Sequence, residues 1–151
     1  MKSFDVTSDS NWCLRLVICV LGVGLLLQGL GTVIALAFSD EAAHRTHGLL
    51  NHDARHGWLH IVWGTALILV LVLGGRGRWL SWAALSFGIF YLMLCALGIA
   101  FDNPFGLVLG PGENGFHLIV GTASLTAWCV DRWQLGPTRW RLLRMRRDEV
   151  A

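Results

Sequence analysis

The chain has 151 residues, 54% of them hydrophobic and only 15% charged, with a mean hydropathy of +0.55 and a formal net charge of +2. A domain that lives in water carries about a quarter charged residues, so this composition excludes an ordinary soluble protein. Helices long enough to cross a bilayer, with short loops between them, use up the chain and leave no room for a separate globular domain.

Four apolar runs, each near the roughly 20 residues that a bilayer crossing needs, appear in chain order. The first, 16–38, is broken only by Gln28, Thr32 and glycines. Its Ala35-Leu36-Ala37 has the look of a cleavage site. The apolar stretch before it is longer than that of a signal peptide, and Asp5 and Asp9 dilute a basic leader, so the run is read as a retained helix. The second, 51–74, opens at Asn51, a good N-cap residue. Gly74-Gly75-Arg76-Gly77-Arg78 separates it from the third, 79–101, and Asp102-Asn103-Pro104 separates that from the fourth, 113–133. None of the runs alternates with the period of two that a strand requires. The expected fold is all-α: a polytopic membrane protein in one transmembrane domain of four helices, followed by a basic tail over 134–151.

The basic residues orient it. With both termini in the cytoplasm, Lys2, Arg15, Arg76, Arg78, Arg132 and the arginines of the tail lie inside, leaving only Arg45 and Arg55 outside. That distribution puts both termini on the cytoplasmic side of the membrane. The tail carries Arg139, Arg141, Arg144, Arg146 and Arg147 interleaved with Trp140, Leu142, Leu143 and Met145. Such a segment suits anionic inner-leaflet lipid, where the apolar side chains insert, rather than nucleic acid. Expected partners are therefore the lipid bilayer and other membrane proteins or further copies of the chain. Cys13, Cys19, Cys95 and Cys129 lie in or beside spans, with no CxxC pair, and read as packing residues.

A short duplication joins the second and fourth runs. His56-x3-His60-x3-Gly64-Thr65-Ala66 matches Glu113-x3-His117-x3-Gly121-Thr122-Ala123 in register. It implies two repeated helical hairpins of like orientation, with His60 and His117 at equal depth. Residues four apart share a helix face, so His52, His56, His60 and Gly64 form one stripe and Glu113, His117 and Gly121 another. An ionisable group below the headgroups is costly against lipid, so both stripes should turn inward.

On these motifs the chain resembles an uncharacterised family of small bacterial four-helix integral membrane proteins, known as a domain of unknown function. Its second helix reads approximately Asn-x2-His-x3-His-x3-Gly and its fourth Asp-Asn-x2-His-x3-Gly. His56, His60 and Gly64 match the first; Asn114, His117 and Gly121 match the second. Glu113 stands where the family has Asp, and Asn51 is displaced by two positions. The resemblance implies a membrane class and no activity.

Imidazole and carboxylate together suit Zn²⁺, Cu²⁺, Ni²⁺ or Fe²⁺. One reading is a divalent metal site built from His56, His60, His117 and Glu113. Another is a structural hydrogen-bonded cluster, with Asn114, His52, Gly64 and Gly121 in support and no ion. A third places b-type haem between His60 and His117, with Gly64 and Gly121 making room for the macrocycle. The leading function is a non-enzymatic membrane protein. A small transporter or proton-relay subunit is the alternative, and a metalloenzyme would have only Glu113 or His56 as a base. Asp131 is expected to pair with Arg132 or to snorkel, and Tyr91 and Gln28 to make interhelical hydrogen bonds.

Overall fold

The computed structural model describes residues 12–38, 54–73, 78–101 and 104–148, the last segment with side chains as far as 134. It is all-helical: α1 (Trp12–Phe38), α2 (Ala54–Leu73), α3 (Arg78–Ala100), a short 3-10 turn (Pro104–Gly106) and α4 (Pro111–Asp148). Three helices, α1 to α3, are long and apolar enough to cross a membrane. Asn51 and His52 lie outside the described residues. Two boundaries differ from the sequence reading. α1 starts a turn earlier, because Trp12, Cys13, Leu14 and Arg15 continue the same helical repeat and bury Leu14. α4 does not stop near Trp133: its backbone stays helical past Gly136-Pro137 to Asp148, through a segment of strong helix formers rich in Leu, Met and Arg.

The four helices form a bundle in which α1 packs along α2 and α3 along α4, while α1 also touches α4 and α2 touches α3. α2 and α4 meet through the side chains of His56 and His117. Glycines set the closeness of each pair. A Cβ added at Gly64 would come within 2.6 Å of the Leu26 amide nitrogen and 2.8 Å of the Gly22 carbonyl oxygen, so α1 and α2 touch backbone to backbone there. At Gly121 the same atom would meet the Leu92 side chain at 2.9 Å and the Gly88 carbonyl at 3.1 Å. Between helices already surrounded by apolar groups, such close packing replaces the hydrophobic effect as the adhesive.

Polarity is inverted relative to a soluble bundle. Val20, Leu27, Val62, Val72, Ile89, Ile119 and many other large apolar residues are exposed, while Thr32, His56, His60, Ser81, Glu113, His117, Ser124 and Asp131 are buried. The apolar core is built from Leu14, Ile18, Leu25, Leu67, Leu80, Ala84, Phe87 and Tyr91, with Trp63 stacked edge-on against Phe87 at 5.5 Å. The histidines lie toward the end of the bundle that carries the 3-10 turn. There the Arg55 guanidinium occupies the space a side chain at Gly106 would fill, and Gly106 itself has φ 72°, open to glycine at no steric cost.

Candidate metal centre

Three imidazoles converge on the bundle axis. His56 and His60 stand one turn apart on the inward face of α2, with ring centroids 4.5 Å apart in an edge-on arrangement. His117 reaches them from α4, its ring 5.2 Å from that of His56 and 6.3 Å from that of His60. All three are buried, His117 completely. One ring nitrogen from each lies within 4.8 Å of the others, making this a group that could hold a metal ion.

The walls are aromatic. The Tyr91 ring sits 5.2 Å from His117 and 6.1 Å from His60, and Phe116 lies 5.7 Å from His60. Within this lining the hydrogen bonding of His60 and His117 is incomplete. His56 Nε2 and His117 Nε2 are 3.1 Å apart and share one hydrogen bond. Whichever ring donates, His117 Nδ1 is left buried without a partner, and His60 Nε2 likewise. If His117 accepts at Nε2, its own proton sits on the orphaned Nδ1; if it donates, Nδ1 is a bare lone pair.

The other sequence candidates fall around this centre. Glu113 is buried one turn before His117 on the same face of α4, but the convergent set is the three histidines. Asn114 faces α3, where its side-chain oxygen fills the space above Gly98 and is buried without a hydrogen bond. Gly64 and Gly121 do not open a slot between α2 and α4; each is packed against its own neighbour, α1 or α3. That removes the room for a macrocycle between His60 and His117, a space already occupied by His56 and flanked by Tyr91. His52, and the side chains of Arg139, Arg141, Arg144, Arg146 and Arg147, lie outside the described residues.

Sequence reasoning misplaced two polar groups. Asp131 does not pair with Arg132. Its carboxylate turns into the α3–α4 interface and accepts a hydrogen bond from Ser81 Oγ at 2.9 Å, while the Arg132 guanidinium sits 5.9 Å from the centroid of the Trp128 ring. Tyr91 makes no interhelical hydrogen bond; its hydroxyl is buried without a partner. A usable signal was present: positions 113, 117, 124 and 131 are spaced by four and seven residues, which puts Glu113, His117, Ser124 and Asp131 on one helix face.

Compared with family models, with curated proteins and with solved structures, the chain matches none.

Proposed function

We propose that the chain is a four-span protein of the bacterial inner membrane, both termini cytoplasmic, that holds one divalent transition-metal ion on His56, His60 and His117 in the outer half of the bundle. The observation that carries the reading is the convergence of three buried imidazoles, each with a ring nitrogen within 4.8 Å of the others. A Zn²⁺–imidazole bond is about 2.0–2.1 Å long, so neighbouring nitrogens of a tetrahedral site stand roughly 3.4 Å apart. The His56–His117 separation of 3.1 Å is already close to that, and a ring nitrogen of His60 lies within 4.8 Å of both. Three nitrogen donors without thiolate suit Cu²⁺, Zn²⁺ or Ni²⁺, with copper the highest in intrinsic affinity. Glu113 is buried one turn away on the same face of α4.

The fourth span is α4. Its hydropathy is diluted by the residues it buries, Glu113, His117, Ser124 and Asp131, whereas Leu118, Ile119 and Trp133 face outward. A helix polar inside and apolar outside suits lipid. Two like hairpins are supported by matched contacts: Gly22 opposes Gly64 as Gly88 opposes Gly121, and Thr32 opposes Gly57 as Gly98 opposes Asn114. Kinship with the four-helix family of unknown function rests on the two histidine motifs.

Calorimetric titration of the purified, chelator-stripped chain with Zn²⁺ and Cu²⁺ tests the reading. One equivalent should bind to the wild type, and His60→Ala and His117→Ala should each lose at least tenfold in affinity. Absence of saturable binding by the wild type would return the cluster to a purely structural role.

A further inference from the structure

The outward face of α4 is short of side-chain volume along one stretch. Elsewhere the bundle presents large apolar residues, as at Leu27, Val62 and Ile89. On α4, Thr122, Ala123 and Thr126 are exposed in successive turns, with the small Ala127 buried beside them. Together with Val130 of the same helix and Cys13 and Val17 of α1, they line a groove of about 660 Å³ between α1 and α4. Its walls are overwhelmingly apolar, and a threonine in a helix can return its hydroxyl to the carbonyl one turn before. Packed proteins leave few voids of that size, and on the outside of a membrane bundle the material that fills one is hydrocarbon.

Length and charge say what lies there. From Leu118, at one end of the groove, to Val130, at the other, the helix rises about 18 Å, against a hydrocarbon core of roughly 30 Å. A spanning helix from a second copy needs the whole depth. An acyl chain belongs to one leaflet and needs about half. The groove runs along α4 toward the end of the bundle opposite the histidines, where Trp133 is 79% exposed and where Arg15, Arg78 and Arg132 also lie. The α4 backbone then stays helical to Asp148. Positions 141 and 144, both arginine, fall at helical spacing on the line through Thr126, Val130 and Trp133. An apolar groove, then an indole, then cations is the order in which a phospholipid presents its acyl chain, its interfacial region and an anionic headgroup. We propose that this groove binds one anionic phospholipid of the cytoplasmic leaflet, with an acyl chain along α4 between Leu118 and Val130 and the headgroup at the arginine end. The site rests on the reading of α4 as a fourth span with a cytoplasmic C-terminus, and not on the metal ion.

Native mass spectrometry of the full chain in neutral detergent, titrated with dioleoyl phosphatidylglycerol or dioleoyl phosphatidylcholine, tests this. One phosphatidylglycerol should bind per chain, at least fivefold more tightly than phosphatidylcholine. Ala123→Phe combined with Thr126→Phe fills the groove from exposed positions and should lose at least fivefold of that affinity. Arg141→Gln combined with Arg144→Gln should keep a bound lipid and lose the preference. A second measurement needs no variant and decides the matter should the filled protein not fold. Phosphatidylglycerol with a mid-chain diazirine, in bilayers with the wild type, should label α4 between Leu118 and Val130 and α1 around Val17 above all other positions. Label spread evenly over the outward faces of all four helices, equal affinity for the two lipids, or undiminished binding by the filled variant overturns the lipid site. A preference that survives loss of both arginines overturns the placing of the headgroup. A wild-type dimer that the filled variant splits gives the groove to a second copy instead. Label on α1, α2 and α3 that is absent from α4 overturns the four-span reading, and the site with it.

Discussion

At the scale of single residues, the site is a network rather than a set of independent ligands. His117 is bonded to His56 and in ring contact with His60, so removing one imidazole leaves the others with buried nitrogens unpaired. In melting experiments on metal-free protein, His56→Ala and His117→Ala should each cost more than half of what the double variant costs, a coupling of about 0.5–3 kcal/mol. Additive losses would mean two unrelated histidines. Glycines give a second test, because their surroundings differ. Gly64→Ala forces a methyl group against backbone atoms of α1 that cannot swing away, and should destabilise the bundle by about 1–3 kcal/mol. At Gly24 and Gly31 nothing lies within 4 Å of an added Cβ. Alanine there should be neutral or stabilise by about 0.5–1 kcal/mol, since glycine is a poor helix former. Equal effects at Gly64 and Gly24 would contradict the close α1–α2 contact.

At the scale of elements, α4 differs from its neighbours in length and in what it hides. Its 38 residues extend about 57 Å, well beyond a bilayer core of roughly 30 Å, so on the proposed four-span reading its C-terminal third leaves the hydrocarbon. That third carries Arg139, Arg141, Arg144, Arg146 and Arg147, each worth about 1 kcal/mol near an anionic surface. Replacing Arg141, Arg144, Arg146 and Arg147 by Gln should abolish the gain in melting temperature that anionic over zwitterionic lipid gives the wild type. The melting temperature in neutral detergent should stay within about 2 °C of wild type, a surface change worth under 0.5 kcal/mol. A collapse in neutral detergent would make the extension a packing element of the bundle.

At the scale of the whole molecule, apolar exposure and polar burial agree with one another, and the arginine distribution adds a direction. In intact cells, with the four native cysteines replaced, a cysteine at position 47 should react with an impermeant maleimide. Cysteines introduced by Arg76→Cys and Ala151→Cys should react only after the membrane is opened. Labelling of position 76 from outside would reverse the orientation and, with it, the assignment of outer and inner ends.

Composition and run length were enough to read an all-helical chain with bilayer-length apolar segments, because a membrane span is a one-dimensional property of twenty or so consecutive residues. Helical period likewise put His56 with His60, and Glu113 with His117, on common faces, since that depends only on spacing along one helix. What the sequence could not decide is which faces meet. That α2 and α4 join across the bundle axis, that His56 rather than His60 bonds His117, and that Gly64 and Gly121 serve the two hairpins rather than a ligand, all depend on how four helices are rotated against each other. Asp131 shows the same limit most plainly. Next to Arg132 in the chain it reads as half of an ion pair, but neighbours in a helix point about 100° apart, and packing against α3 turned the carboxylate inward to Ser81 while the guanidinium went to Trp128.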